Sequence, residues 1–437
     1  MCGLILAPSS YPAQSVEYAL NRMKYRGDGR APAVDTRGAW HVGHVRLAIQ
    51  DLSESGSQPF PDFHGRRTIA FVGEFFTHGG AGEKEYVEQL LADPVRFHEA
   101  DGFWSIVRAG EYDAEAYTDH LGIKPLYYWP KYNIVCSEIE PMFALETPPE
   151  LDETYLSNCI KFGYDYSGRT PYKGICQLAP GTCLRIVDGR PYFETYWKWH
   201  LVRQDHRSLR EVVEEAIFNR LVSDVPVAML LSGGLDSSII YHTLRNAGHE
   251  VRAFSIENGE TEFLPDDVVF LSHTEVDPPE ALRVLKAPLD LGSMLPQVAL
   301  AKAMRGEGYN VCLTGDGADE VFGGYQRAKQ YDSQKSDVFC ELPYYHMPRL
   351  DRVMMRSTIE LRSPYLAPAV VAFGLRLPYP YRQEKQALKS AFRGIVPDRI
   401  IDRPKHPLKS AQVIGGGIEY RRKLVEDFRH GYHWSHF

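Results

Sequence analysis

The sequence has little of what marks a nucleic-acid-binding, membrane-spanning or disulfide-rich protein. Its 437 residues carry a net charge of -8, whereas binding to a phosphate backbone depends on a basic surface. No apolar run approaches the roughly 18 residues of a transmembrane helix, and the first residues lack the basic and long apolar regions of a secretory signal. The seven cysteines are odd in number and form no C-x-x-C pair. We therefore expect a cytoplasmic protein without disulfides, structural zinc, or a nucleic-acid or membrane partner.

The composition is ordinary for a globular protein. Hydrophobic residues make up 44% of the chain and charged residues 24%, and the length predicts two or three domains. Residues 1–200 contain short β-branched or aromatic runs separated by Gly, Pro and Asp, which predicts strands and turns. From about residue 207, amphipathic helices alternate with apolar strands, a pattern typical of a parallel sheet flanked by helices. The predicted domain boundary lies near residue 200.

Cys2 directly follows the initiator methionine. Removal of Met1 would leave a residue with both a thiol and an α-amine, and the ordinary pKa of that amine is about 8. Such an amine can take the proton of the thiol at neutral pH, which activates an amino-terminal nucleophile. The alternative is that a small residue stands second in the chain without any role in catalysis.

The strongest local motif is an apolar run that ends at Leu231 and continues into the segment 232–238, SGGLDSS. Glycines let the backbone approach a ligand closely, and the N–H groups and dipole of a following helix favour an anion. Asp236 can hold a magnesium ion against phosphates. The motif predicts a phosphate-binding loop, although not the Walker type, because G-x-x-x-x-G-K-[ST] is missing. A plain strand-to-helix turn with a capping Asp or Ser is the alternative.

A second loop repeats this arrangement. An apolar strand runs into Thr314-Gly315-Asp316-Gly317, and Asp319 and Glu320 follow before a helical run. Open α/β sheets bind ligands in the crevice at the carboxyl ends of their strands. We expect Asp236 and Asp319 to share magnesium and pyrophosphate there. The alternative is that the second loop is an ordinary turn whose polar side chains bind no ligand.

Together these stretches resemble the glutamine-hydrolysing asparagine synthetases. The sharpest points of resemblance are MCG at the start, SGGLDSS, and TGDGADEVFGGY. Weaker points include DHLGIKPLYY, CSEIEPMFAL, RLDRVMM and DRPKH, and their order along the chain matches that of the family. The resemblance implies an N-terminal αββα Ntn-hydrolase sandwich over residues 1–200, acting as a glutamine amidotransferase. It implies a doubly wound, parallel-sheet ATP-pyrophosphatase domain over residues 201–437, acting as the synthetase with ATP and Mg²⁺.

The resemblance also implies roles for single residues in the first domain. Cys2 would attack the carboxamide of glutamine, and Gly73 would lie beside the reacting amide. The residues implied to bind glutamine are Arg46, Leu47, Ile49, Gly73 and Glu74. Arg46 would hold the glutamine carboxylate, for which a bidentate guanidinium is suited.

In the second domain the resemblance implies an ATP site, two metal ligands and two further catalytic groups. The implied ATP-binding residues are Leu231, Ser232, Gly233, Gly234, Asp236, Ser237, Ile256, Thr314 and Gly315. Asp236 and Asp319 would carry magnesium, Glu360 would be the acid of the synthetase site, and Lys405 would stabilise the developing phosphate charge.

Three positions depart from the family pattern. Val72 stands where the family has an Asn that donates to the oxyanion. The acid that holds the α-amine of glutamine has no clear match, with Glu83 and Glu85 as candidates, and the family's R-G-P-D reads RGDG over residues 26–29.

The predicted function is that of an asparagine synthetase-type carbon–nitrogen ligase. Glutamine is hydrolysed at Cys2, and its ammonia is transferred to an adenylated carboxylate, aspartate above all, with AMP and pyrophosphate released. Two alternatives stay open, namely the same chemistry on a different acceptor, and a glutaminase-impaired, ammonia-dependent or regulatory homologue. A homodimer also stays open.

Overall fold

The computed structural model describes residues 2–77, 82–203, 205–256, 261–271, 286–289, 294–325, 339–403 and 417–432. The chain forms two compact units, of which the first comprises residues 1–201 and 343–351 and the second residues 202–342 and 352–437. The short segment Pro343–Asp351 thus belongs to the first unit, although it lies far along the sequence. Each described helix is too short or too polar to cross a lipid bilayer.

The first unit is built on two antiparallel six-stranded sheets. Its strands are Gly3–Pro8 (β1), Ala33–Arg37 (β2), Trp40–Val45 (β3), Phe60–Pro61 (β4), Thr68–Phe75 (β5), Gly102–Ala109 (β6), Asp113–Thr118 (β7), Tyr127–Trp129 (β8), Ile134–Cys136 (β9), Cys176–Gln177 (β10), Thr182–Val187 (β11) and Arg190–Thr195 (β12). One sheet has the order β10-β8-β9-β1-β3-β2, and the other has the order β12-β11-β7-β6-β5-β4. Every residue of β3 and of β5 is buried. Successive side chains of a strand point to opposite faces, so both faces of these strands are covered.

Helices cover the outer faces of the two sheets. Ala13–Asn21 (α1) packs Val16 and Leu20 into one apolar cluster with Ile5 of β1. Glu83–Ala92 (α2) places the ring of Tyr86 edge-on to a β5 aromatic ring, with ring centroids 5.5 Å apart. A further helix, Glu153–Phe162 (α3), begins after an Asp cap that accepts two backbone N–H groups. These layers confirm the predicted αββα arrangement.

The second unit contains a parallel sheet of five strands. They are Val227–Leu230 (β13), Arg252–Ile256 (β14), Val269–Leu271 (β15), Val311–Leu313 (β16) and Glu360–Arg362 (β17). The order is β15-β14-β13-β16-β17, so the chain moves outward from β13 on one side and then returns to its other side. The predicted doubly wound topology is confirmed, and its reversal lies between β13 and β16. Ligands bind at such a reversal, at the carboxyl ends of the strands.

Further helices precede, separate and follow these strands along the chain. They are Leu209–Asn219 (α4), Leu235–Asn246 (α5), Met294–Gly306 (α6), Ala318–Val321 (α7), Met347–Met355 (α8), Pro368–Arg376 (α9), Tyr379–Arg382 (α10), Gln386–Ala391 (α11), Asp398–Ile401 (α12) and Ile418–Asp427 (α13). Helix α8 begins within the segment Pro343–Asp351 of the first unit. At the amino end of helix α4, Ser208 and Glu211 form a reciprocal capping box.

Two candidate functional sites

The thiol of Cys2 lies against a backbone N–H group. Cys2 immediately precedes β1, and β1 pairs with β3 so that Gly3 is opposite Val45. This register brings the half-buried Cys2 beside the loop that follows β3, where the N–H of Leu47 donates to its Sγ at 3.4 Å. The same Sγ lies 3.7 Å from the carbonyl oxygen of Leu47, to which the thiol can donate. The backbone carbonyl of Cys2 accepts a second hydrogen bond, from Nε of Arg26 at 3.0 Å.

The loop after β3 also carries Arg46, the residue implied to hold the glutamine carboxylate. Arg46 is buried, and its guanidinium donates to Oγ of Ser57 at 3.2 Å and to the carbonyl of Asp51 at 2.5 Å. Leu47 and Ile49 are also buried, so Leu47 presents its backbone rather than its side chain to Cys2. The structure therefore brings the predicted nucleophile, Cys2, beside the short segment that carries the predicted cation, Arg46.

Gly73 and Glu74 lie on β5, in the other sheet. Gly73 has a φ of 123°, and a Cβ there would overlap the carbonyl of Phe103, so glycine is required. Glu74 is buried, and Nε2 of Gln50 donates to its Oε2 at 2.6 Å. Gln50 thus joins the loop that holds Arg46 to β5. Gln50 was not predicted from the sequence, because an isolated glutamine carries no local signal.

The neighbours of these residues bear on two of the three departures from the family pattern. The side chain of Val72 is fully buried and carries no hydrogen-bond donor. Of the two candidate acids, Glu83 accepts the N–H of Phe75 at 3.1 Å through Oε1, whereas Glu85 is exposed. The structure therefore favours Glu83 over Glu85 as the acid nearer to β5.

The first candidate phosphate loop joins β13 to α5. Gly233 has a φ of 80°, and Gly234 is the cap residue of α5. Within the loop, the hydroxyl groups of Ser232 and Ser237 lie 3.1 Å apart, and Oγ of Ser232 accepts the N–H of Gly234 at 3.2 Å. Asp236 lies in the first turn of α5. A turn with this many internal hydrogen bonds presents backbone donors in fixed directions, as an anion site requires.

The second loop follows β16, which is the neighbour of β13 in the sheet. A Cβ at Gly315 would lie 2.9 Å from Cβ of Asp236 and 3.0 Å from the N of Ser237, so the two loops touch at this glycine. Oγ1 of Thr314 donates to Oδ2 of Asp316 at 2.5 Å within the second loop. Ile256 ends β14 on the other side of β13. The predicted ATP residues therefore share the carboxyl edge of three adjacent strands.

Lys385 connects the carboxylates of the two loops. Its Nζ lies 2.5 Å from Oδ2 of Asp236 and 2.5 Å from Oδ1 of Asp319. Burial lowers the pKa of Lys385 and the two carboxylates raise it, with the net effect that it lies above the ordinary lysine value. Lys385 and Glu384 have φ values of 60° and 53°, which are strained for long side chains. Lys385 was not among the site residues predicted from the sequence.

Glu360 lies in a different environment from these loops. It is the first residue of β17 and is level with Val311, the first residue of β16, whereas the loops follow the last residues of their strands. Its side chain is 0% exposed, and its Oε1 accepts Nε of Arg362 at 2.7 Å. The other oxygen, Oε2, has no hydrogen-bond partner among the described residues. Its role as the synthetase acid stays a prediction.

Lys405 lies outside the described residues. The preceding part of the same motif is described, and a guanidinium nitrogen of Arg403 donates to the carbonyl of Gly233 at 2.7 Å. The guanidinium of Arg403 also lies 4.2 Å from the ring centroid of Phe263. The start of the DRPKH motif therefore contacts the first phosphate loop.

The donor set at the two loops fits a magnesium ion bound together with phosphate. In the described parts of the chain, no three His, Cys, Asp or Glu side chains form a ready-made metal cage. Mg²⁺ is usually held by one or two carboxylates together with substrate phosphates and water. Asp236 and Asp319 are two such carboxylates, since both reach one ammonium group.

Comparisons with known proteins identify both halves of the chain. The asparagine synthase family model matches residues 208–343 and 336–427, which span half of the chain, and the glutamine amidotransferase domain model matches residues 1–91 and 94–197. Among solved structures, glutamine phosphoribosylpyrophosphate amidotransferase from B. subtilis aligns at 13% identity and a TM-score of 0.33 over 72% of this chain and 81% of its own.

The similar proteins fall into two groups, amidases and asparagine synthetases. Amidase chry2 of Gibberella zeae is 28% identical, over 83% of this chain and 61% of its own, and amidase chyE of Penicillium rubens is 29% identical, over 79% and 60%. Asparagine synthetase [glutamine-hydrolyzing] 3 of Bacillus subtilis is 26% identical, over 93% of this chain and 86% of its own. The chain thus spans about three fifths of the length of the two fungal relatives. With an amidotransferase domain in its first half and the synthase model matched over its second, the chain belongs to the asparagine synthase family.

Proposed function

We propose that the protein is an ATP-dependent, glutamine-hydrolysing amide ligase of the asparagine synthetase type. Residues 1–200 carry the glutaminase in this proposal, and residues 201–437 carry the synthetase. The observation that carries the proposal is the meeting of Asp236 and Asp319 at Lys385, on neighbouring strand ends of the parallel sheet. Carboxylates and a cation in that position suit a magnesium–pyrophosphate unit.

In the glutaminase half, Cys2 is the proposed nucleophile. After Met1 is removed, the α-amine takes the thiol proton, and Sγ attacks the carboxamide carbon of glutamine. The C–N bond breaks, the proton leaves with ammonia, and water then cleaves the thioester to give glutamate. Arg46 is the proposed partner of the substrate carboxylate, and the N–H of Gly73 is the proposed donor to the oxyanion. Val72 supplies no second donor, so we expect glutamine hydrolysis to be slow for this type of site.

In the synthetase half, a carboxylate oxygen of the acceptor attacks the α-phosphorus of ATP. The bond to the β-phosphate oxygen breaks and pyrophosphate leaves, which gives an acyl-adenylate. Ammonia then attacks the acyl carbon, loses a proton, and displaces AMP to form the amide. The first phosphate loop, residues 232–237, is proposed to hold phosphate oxygens, and Lys385 keeps the carboxylates of Asp236 and Asp319 together. Lys405 is the proposed cation for charge that develops on the phosphates.

Magnesium is the cofactor that this proposal requires, with Asp236 and Asp319 as its protein ligands. When bound, the ion would neutralise phosphate charge and improve the leaving group. Lys385 leaves one net negative charge on the two carboxylates, which still favours a divalent cation.

Aspartate is the proposed acceptor, and a different carboxylate is the second candidate. The relatives chry2 and chyE are both named amidases, and that observation favours the second candidate. A direct assay with several carboxylates distinguishes the two candidates.

The proposal is tested by pyrophosphate release from ATP with a panel of carboxylates, each with glutamine or ammonium as the nitrogen source. We expect release with at least one acceptor, and we expect Asp236→Ala to abolish it with either nitrogen source. Asp398→Asn, which changes an exposed carboxylate on α12, is the matched control and should behave like the parent. Normal turnover in a folded Asp236→Ala protein would refute the assignment of the synthetase site.

A further inference from the structure

Four charged side chains form a buried cluster in the first unit. Arg26, Lys124, Glu138 and Asp351 are 1%, 2%, 3% and 5% exposed. The guanidinium of Arg26 lies 2.6 Å from Oε1 of Glu138 and 2.9 Å from Oδ2 of Asp351, and Nζ of Lys124 lies 3.0 Å from Oδ1 of Asp351. Two cations and two anions balance the charge. We call this set the buried charge cluster.

The cluster accounts for sequence motifs to which the proposed reaction gives no role. Lys124 belongs to DHLGIKPLYY, and its N–H is held at 3.0 Å by Oδ2 of Asp119. Glu138 belongs to CSEIEPMFAL and follows Ser137, whose Oγ accepts the N–H of Leu4 at 3.0 Å. Four separate stretches of sequence therefore each contribute one charged side chain to the buried charge cluster.

Asp351 comes from the part of the sequence that the asparagine synthase model matches. Its segment, Pro343–Asp351, is held in the first unit by further contacts, since Nε2 of Gln177 donates to the carbonyl of Pro343 at 2.8 Å. The rings of Tyr164 and Tyr345 also lie 5.4 Å apart. The first unit therefore takes one of its four buried charges from outside residues 1–201.

Arg26 connects the buried charge cluster to Cys2. A guanidinium is a rigid plane with donors on three sides. Two sides of Arg26 bind Glu138 and Asp351, and the third side, Nε, donates to the carbonyl of Cys2 at 3.0 Å. The two carboxylates therefore fix the plane of the guanidinium, and the guanidinium in turn fixes the residue whose Sγ lies at the N–H of Leu47.

The charges of the cluster depend on one another. Burial raises the pKa of Asp351, while the charges of Arg26 and Lys124 lower it more strongly, and the resulting value is about 2. Asp351 is therefore ionised at neutral pH. Loss of its charge would leave two buried cations with one anion between them, and the guanidinium of Arg26 would lose one of its two fixed partners.

We propose that Asp351 is a positioning residue of the glutaminase site, acting on Cys2 through Arg26. Residues 1–201 alone do not make a complete glutaminase site in this account. The predicted effects on turnover rest on the proposed function, whereas the position of the Cys2 thiol does not.

The test compares three full-length variants with the parent. Asp351→Asn removes the charge that orients Arg26. Lys124→Met is the matched control, because it removes one buried charge from the same cluster and leaves both carboxylates on Arg26. The double variant Lys124→Met with Asp351→Asn restores neutrality. For each protein, kcat and KM for glutamine, the ammonium-dependent rate and the thermal unfolding midpoint are measured.

Alkylation of Cys2 by iodoacetamide supplies a readout that needs no turnover. It is followed by peptide-resolved mass spectrometry, with the exposed Cys340 of the same molecule as the internal reference. A displaced thiol leaves both the N–H and the carbonyl group of Leu47, so its accessibility and reactivity change. We expect Asp351→Asn to change the alkylation rate of Cys2 about tenfold relative to Cys340.

We expect Asp351→Asn to lower kcat for glutamine at least tenfold, with KM and the ammonium-dependent rate within about threefold of the parent. Lys124→Met should lower the unfolding midpoint yet keep kcat within about threefold. The double variant should regain stability but keep the low kcat, because Arg26 still lacks its anionic partner at position 351. Equal losses of kcat in Asp351→Asn and Lys124→Met, or parental alkylation of Cys2 in Asp351→Asn, would overturn the inference. A parent without glutaminase activity would instead refute the proposed function, and the alkylation rates would still decide the role of Asp351.

Discussion

Nζ of Lys385 lies 2.5 Å from Oδ2 of Asp236, although the two residues are 149 positions apart in the sequence. The same Nζ reaches Asp319 at 2.5 Å, so one buried ammonium group joins two loops that follow neighbouring strands. In our account, this ammonium group keeps the two carboxylates close enough to hold one magnesium–phosphate unit.

Substitution of Lys385 therefore tests the synthetase site. We expect Lys385→Met to reduce pyrophosphate release at least 100-fold with glutamine or ammonium, because the carboxylates of Asp236 and Asp319 would repel each other without a cation between them. Breaking a buried ion pair by removing one partner typically costs about 3–5 kcal/mol of stability, so circular dichroism must accompany the assay. Lys423→Met, which changes an exposed lysine on α13, is the control. Parental pyrophosphate release by Lys385→Met would remove this lysine from the site.

Substitution of Glu360 distinguishes two roles for its carboxylate. It either stabilises the fold through a buried ion pair or acts as the acid of the synthetase site, as the family resemblance implies. Glu360 and Arg362 are both fully buried, and a guanidinium nitrogen of Arg362 also donates to the carbonyl of Val222 at 2.6 Å. We expect Glu360→Gln to lower the free energy of unfolding by about 3–5 kcal/mol, because it leaves the charge of Arg362 without its anion.

The double variant Glu360→Gln with Arg362→Met removes both charges and should regain part of that stability. Thermal unfolding and pyrophosphate release are measured on the same samples. If Glu360→Gln unfolds like the parent but releases no pyrophosphate, the ion pair is unimportant and Glu360 is the catalytic acid.

His44 on β3 makes the stability of the first unit depend on pH. Its ring is buried, and Nε2 donates to the carbonyl of Phe71 at 3.2 Å. Burial, opposed in part by this hydrogen bond, lowers the pKa of His44 from 6.5 to about 3. Between these two values the unfolded chain binds a proton that the folded chain does not, so stability falls as the pH falls.

We expect His44→Gln, which keeps a donor for Phe71, to remove this dependence. The free energy of unfolding of the parent should fall by about 2 kcal/mol more than that of the variant between pH 7 and pH 5. Urea unfolding followed by tryptophan fluorescence is suitable, since five of the six tryptophans lie in residues 1–201. The exposed His249 provides the control His249→Gln. An equal pH dependence in parent and His44→Gln would show that His44 is not the group responsible.

The sequence predicted those features that depend on local patterns. An apolar run followed by small and polar residues predicts a strand, a turn and a helix start, and β13, its loop and α5 have that form. Because parallel strands end at one edge, the meeting of the loops after β13 and β16 also followed from the pattern.

Other features required the folded chain. Lys385 is one of several lysines and glutamines in a polar stretch, and only its approach to Asp236 and Asp319 distinguishes it. Asp351 belongs by position to the second half of the chain, yet its partners Arg26 and Lys124 lie in the first. Contacts of such long sequence separation leave no periodic signal, so neither residue could be assigned from the sequence alone.

The most direct test of the central claim compares the nitrogen sources of the parent and Cys2→Ala. Amide product is measured with glutamine and with ammonium, using an acceptor that supports pyrophosphate release. We expect the parent to use both sources, with glutamine the slower because Val72 offers no oxyanion donor. We expect Cys2→Ala to lose all glutamine-dependent product and to keep the ammonium-dependent rate. Glutamine-dependent product from Cys2→Ala would contradict the account, because the nucleophile would then lie elsewhere.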